Sequence, residues 1–202
     1  MNACVIQAVL GADMWEWIYF FDDAVYKFVS GFISDDMTRI MKFFTFLGSG
    51  WTIAFLTVLL PFFIFVLRKK KYYRMALALT ANIALGALFN QLLKHLFLRP
   101  RPDILRLIEI SGYSFPSGHS MNSLIFYGFI VYLLVKNGRH WSRYMLAGAV
   151  GLIVLLIGIS RIYLGVHYAS DVLAGFMIGF GWLVLAARIT KKLHFDTSRH
   201  TA

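Results

Sequence analysis

Five stretches of this chain are each long and apolar enough to cross a hydrocarbon core, and no other feature of the sequence limits its fold as strongly. They run approximately 50–67, 74–97, 118–136, 144–164 and 171–190. A core about 30 Å thick takes roughly 20 helical residues. No water is available there to satisfy open backbone groups, so each stretch has to be a helix. The expected fold is therefore all-α, a polytopic membrane helix bundle with five clear transmembrane helices, or six if the N-terminal segment spans. Composition agrees: 59% of the 202 residues are hydrophobic, 15% are charged and mean hydropathy is +0.67. Soluble domains carry about a quarter charged residues.

The first 49 residues are of another kind. Residues 1–12 are apolar but too short to span, and they lack the basic start of a signal peptide. WEWIYFFDDAVYKFVSGFISDD then mixes aromatics with acids, and MTRIMKFFTFLG follows at a helical period. Residues 14–47 read as amphipathic helices lying at the interface, where Trp and Tyr are favoured. Three regions result: an N-terminal interfacial region over 1–49, a transmembrane domain over 50–192 and a cytoplasmic tail over 193–202.

The net charge of +10 would suit nucleic acid if it lay on one soluble face. Instead the basic residues sit in short runs between apolar segments, and no nucleic-acid partner is expected. RKKKYYR at 68–74, KNGRHWSR at 136–143 and the tail with Lys191 and Lys192 fall on one side by alternation. Positive loops mark the cytoplasmic side, so the 98–117 connection and the 165–170 turn lie outside. Cys4 is the only cysteine, which excludes an intrachain disulfide and a Cys-based metal site.

On that outer side three groups of residues converge. Lys94 closes one span and leads into HLFLRPRPD, with Arg99 and Arg101. PSGH, residues 116–119, opens the next span with Ser117, Gly118 and His119. SRIYLGVHYASD ends the fourth and starts the fifth, supplying Arg161, His167 and Asp171. Singly, each has an ordinary explanation: a snorkelling lysine, an arginine among headgroups, a proline in a first helical turn. Jointly, the cations Lys94, Arg101 and Arg161, two histidines, a carboxylate and a helix N-terminus make a site for an anion with several oxygens, and phosphate fits. Gly175 and Gly179 have the spacing that lets membrane helices approach closely.

At these residues the chain resembles the type 2 phosphatidic acid phosphatase (PAP2) superfamily. Lys94 with Arg101-Pro102, then Pro116-Ser117-Gly118-His119, then Ser160-Arg161 with His167 and Asp171, match its three-part signature in order. The resemblance implies a membrane phosphatase acting on a lipid phosphate, without metal or other cofactor. It implies His167 as nucleophile, Asp171 as its partner and His119 as proton donor. Lys94, Arg101, Ser117, Gly118 and Arg161 would bind the phosphate. Membrane members usually have six spans. The signature does not require Arg99, which is expected at lipid headgroups, and Trp15, Trp17 and the nearby acid pairs receive no catalytic role. The rival readings are a transporter and a non-catalytic lipid-phosphate-binding protein using the same cations.

Overall fold

Every one of the five apolar stretches is helical in the computed structural model, which describes residues 12–66, 73–136 and 140–196. Those residues form seven helices and no strand: α1 Ala12–Ser30, α2 Asp35–Leu47, α3 Gly50–Val66, α4 Tyr73–Phe97, α5 Gly118–Lys136, α6 Trp141–Tyr163 and α7 Ala169–Asp196. Most of the basic run at 68–74, the middle of that at 136–143, residues 1–11 and the chain beyond 196 lie outside the described residues.

Three helices have the length and apolarity of a span, over Ala76–Phe97, Trp141–Tyr163 and Ala169–Ile189. The other two expected spans show 17 described helical residues in α3 and 19 in α5, and neither is among these three. α1 holds Glu16, Asp22, Asp23 and Lys27 and is not apolar enough to span. Asp35–Leu47 and Gly50–Phe63 meet the criterion only as a pair, bent by 46°.

Capping builds that bend. Ser34 starts α2 by accepting the Met37 amide at 3.3 Å, with Asp35 and Asp36 in the first turn where the helix dipole favours acids. At the break, Ser49 Oγ accepts the Thr52 amide at 3.1 Å, while the Thr52 hydroxyl donates to the Phe46 carbonyl at 2.7 Å. The hydroxyls thus satisfy groups that the interrupted helix leaves open.

α5 is the central helix. It packs against α3, α4, α6 and α7, and Met121, Ile125, Phe126 and Phe129 are buried along its length. The α5–α7 contact depends on missing side chains. A Cβ on Gly175 would stand 2.8 Å from the Ser117 carbonyl oxygen, and one on Gly179 would stand 3.0 Å from that of Met121. The glycines expected to allow close approach therefore do so at the mouth of the candidate site. Around this centre the outer faces present Phe55, Leu77, Leu88, Leu152 and Phe180, a surface suited to hydrocarbon and too apolar for water.

The N-terminal region is more than a surface layer. α1 packs against α6 and α7, and α2 against α6 and α3. Trp17, Phe20 and Phe28 point outward, as an interfacial helix requires, but Trp15 and Asp22 are buried.

Candidate active site

Six elements deliver the site to one end of the bundle. Lys94 comes from the last turn of α4, Arg101 from the following connection and His119 from the first turn of α5. Arg161 sits in the last turn of α6, His167 in the turn after it and Asp171 in the first turn of α7. Lys94, Arg101, Gly118, His119 and His167 line one cavity of about 340 Å³. Arg161, Ser117 and Asp171 are buried and stand outside that lining.

His167 is held in one tautomer. Arg101 Nη1 lies 3.3 Å from its Nε2, and a guanidinium only donates, so Nε2 is the acceptor. The ring proton is then on Nδ1, which faces Ser114 Oγ at 3.3 Å and Asp171 Oδ2 at 3.5 Å. Burial, opposed by Asp171 and reinforced by Arg161 and Arg101, lowers the imidazole pKa to about 4. At neutral pH the ring is uncharged and Nε2 keeps a lone pair. An uncharged imidazole backed by a carboxylate is a nucleophile or a base.

Lys94 and Arg101 are anchored through carbonyl groups, which leaves their charge for a ligand. Lys94 Nζ donates to the Tyr113 carbonyl at 2.6 Å. Arg101 donates to the carbonyls of Gly112, Val166 and Ser111 at 2.9, 2.7 and 3.1 Å. Arg161 is 1% exposed and donates from Nη1 to the Thr45 hydroxyl. Its Nε and Nη2 are buried with no hydrogen-bond partner among the described residues. A buried cation with open donors is costly unless an anion meets it.

At the start of α5 the amides divide. The Ser117 N–H donates to the Asp171 carbonyl at 3.1 Å, so the expectation that Ser117 offers its amide to phosphate is not met. Its side chain caps the helix instead, with Oγ accepting the Ser120 amide at 3.4 Å. The Gly118 and His119 amides are the first two of the helix and have no acceptor within it.

Sequence reasoning missed three residues. Ser114 donates its hydroxyl to Asp171 Oδ2 while standing beside His167 Nδ1. Arg99 is not a headgroup contact. It is 5% exposed and bound to Asp171 Oδ1 at 2.6 Å and Asp22 Oδ2 at 2.8 Å. Burial lowers its basicity, but Asp171 and Asp22 more than reverse that, so it stays firmly charged. The acid pair given no role at 22–23 therefore includes a residue linked to His167 through Arg99 and Asp171. Arg99 carried one signal: it is a second arginine two residues from the motif arginine Arg101.

Among the described residues no group of three His, Cys, Asp or Glu side chains is placed to hold a metal ion. A larger apolar groove of about 770 Å³, lined by α5, α6 and α7, contains no titratable side chain.

Comparison with known proteins agrees with this geometry. The PAP2 superfamily profile matches residues 75–195. Phosphatidylglycerophosphatase B of Bacillus subtilis is 35% identical over 162 residues, covering 78% of this chain and 77% of that protein. Lipid A 4'-phosphatase of Bacteroides thetaiotaomicron is 29% identical, covering 82% and 84%. The crystal structure of the transmembrane PAP2 type phosphatidylglycerolphosphate phosphatase from Bacillus subtilis superposes with a TM-score of 0.79 at 32% identity, covering 94% of this chain and 92% of that one. With its apolar helices and its histidine site, the chain belongs to the PAP2 superfamily and is an integral membrane lipid phosphatase.

Proposed function

We propose that the enzyme hydrolyses the terminal phosphate of a lipid phosphate or diphosphate through a phosphohistidine. The observation that carries the reading is the single cavity lined by Lys94, Arg101, His119 and His167. A nucleophile, a second histidine and two cations there face one volume of about 340 Å³, large enough for a phosphoryl group.

His167 Nε2 attacks phosphorus as the bond to the leaving lipid oxygen breaks, and His119 gives that oxygen a proton. The ring gains positive charge, which Asp171 supports from the Nδ1 side. Water then attacks the phosphohistidine, His119 takes its proton, and inorganic phosphate leaves with His167 restored. Lys94, Arg101, Arg161 and the amides of Gly118 and His119 stabilise the equatorial oxygens, the electrostatic work that dominates phosphoryl transfer. These donors replace a divalent cation in that work.

Topology completes the reading. The five helices α3 to α7 cross the membrane within a catalytic domain over residues 50–192, with the basic runs at 68–74 and 136–143 on the cytoplasmic side. The cavity then opens outward at headgroup level, and the lipid tails stay in the bilayer. Among substrates, phosphatidylglycerol phosphate ranks first, supported by the Bacillus subtilis match in sequence and in structure. Undecaprenyl diphosphate and phosphatidic acid present the same terminal phosphoryl group.

The test is phosphate release by the purified chain in detergent. The panel holds phosphatidylglycerol phosphate, phosphatidic acid and undecaprenyl diphosphate, each with and without EDTA or vanadate. Release that survives EDTA and is blocked by vanadate is expected, fastest on phosphatidylglycerol phosphate. Binding without release would favour the transporter or binding-protein reading. Activity lost to EDTA and restored by Mg²⁺ would contradict the metal-independent mechanism.

A further inference from the structure

The two carboxylates bridged by Arg99 come from opposite ends of the chain. Asp22 lies in α1, outside the matched residues 75–195, and is 3% exposed. Arg99 Nη2 donates to Asp22 Oδ2 at 2.8 Å and Nη1 to Asp171 Oδ1 at 2.6 Å. Ser170 closes the arrangement: its amide donates to Asp22 Oδ1 at 2.7 Å, its hydroxyl to Asp22 Oδ2 at 2.7 Å, and Arg99 Nη1 donates to that hydroxyl at 2.8 Å. The Tyr168 ring lies 4.0 Å from the guanidinium carbon, so the cation is fixed in plane as well as direction.

Two consequences follow for Asp171, which is fully buried. Its Oδ1 is pinned by Arg99, so Oδ2 is left to face Ser114, the Tyr168 amide at 3.0 Å and His167. The second consequence is electrostatic. Arg99 alone would cancel Asp171 and leave the imidazole with no net counter-charge. Two carboxylates against one guanidinium leave one net negative charge on the Nδ1 side of the ring, opposite Arg101 on the Nε2 side. A buried ion pair is poor evidence for a stabilising role, but it is an effective way to set a local field.

We propose that Asp22 and Arg99 are positioning residues for the nucleophile, with Arg99 orienting Asp171 and Asp22 restoring the negative charge that Asp171 presents to His167. The proposal rests on the phosphohistidine reading and adds to it a requirement for α1. That helix, which has no place in the signature, completes the electrostatics of the site.

The test is steady-state kinetics of the full chain in detergent with dioctanoyl phosphatidic acid. Asp22→Asn keeps the shape and removes the charge. Its kcat should fall on the order of 10–100-fold while KM stays within about twofold, because the lost support acts on charge that develops during attack. The double variant Asp22→Asn/Arg99→Gln removes both charges, and its kcat should exceed that of Asp22→Asn alone. A merely structural role gives the opposite order, since the double variant loses more contacts. Asp23→Asn, at an exposed carboxylate paired with Lys27 at 2.7 Å, should keep wild-type kcat.

Wild-type kcat in Asp22→Asn, a change confined to KM, or a double variant no faster than the single one would overturn the proposal. Should Asp22→Asn fail to fold, the double variant is compared with wild type. A kcat within tenfold supports the proposal, and a larger loss overturns it. His167→Ala separates the two levels. Turnover retained there sinks the underlying mechanism, whereas turnover lost there with wild-type kcat in Asp22→Asn sinks this proposal alone.

Discussion

Replacing His167 with alanine is expected to lower turnover by about 10⁴-fold or more while the protein stays folded in detergent. The size of the loss follows from the proposed role, since among the described residues neither other histidine lining the cavity, His95 or His119, pairs with a carboxylate. Folding is retained because Asp171 is not orphaned. Its carboxylate keeps Arg99, the Ser114 hydroxyl and the Tyr168 amide. The stability change should stay within the ordinary range of roughly 0.5–3 kcal/mol for a buried substitution. Activity assays and a thermal melt on the same preparation check both halves. Near-normal turnover would remove His167 as the nucleophile.

Arg161→Met should move activity and stability in different directions. Arg161 is buried to 1% exposure, and two of its guanidinium nitrogens have no partner among the described residues. Its burial is therefore unfavourable in the free enzyme. A methionine of similar length removes the buried charge, and such replacements are neutral or stabilising by about 1–4 kcal/mol. The Thr45 hydroxyl loses its partner, which offsets part of that gain. In the proposed mechanism the same nitrogens meet the equatorial oxygens, and losing donors of this kind lowers kcat by roughly 10²–10³-fold. The expected variant melts no lower than wild type and turns over far more slowly. A destabilised variant with wild-type kcat would mean that Arg161 is a structural cation.

What could be read in the sequence was whatever is local. The five apolar stretches fixed where helices lie because hydrocarbon leaves the backbone no alternative. Lys94, Arg101, His119, Arg161, His167 and Asp171 were legible because each sits within a turn of a span end, and the ends converge by alternation. The break between α2 and α3 was harder to see. It depends on Ser49 and Thr52 hydroxyls that look like ordinary interfacial residues until their hydrogen bonds are known.

Tertiary pairing was not legible. Asp22 meets Ser170 across 148 residues, and nothing in WEWIYFFDD distinguishes Asp22 from Asp23. One is buried against Arg99, and the other is exposed and paired with Lys27. Ser114 was hidden for the same reason, since a serine in a loop becomes a site residue only when Asp171 and His167 are folded beside it. The amide of Ser117 shows the converse. Its position at a helix start suggested an anion donor, but the close approach permitted by Gly175 brings the Asp171 carbonyl to it first.

The central claim is that the phosphoryl group passes through His167. It is tested by mixing the enzyme with ³²P-labelled dioctanoyl phosphatidic acid and quenching in denaturant at successive times within one turnover. The account predicts protein-bound label that is stable in base and labile in acid. That label should map to His167, appear before free phosphate and be absent from His167→Ala. Phosphate released at the full rate with no label on His167 at any time would contradict it.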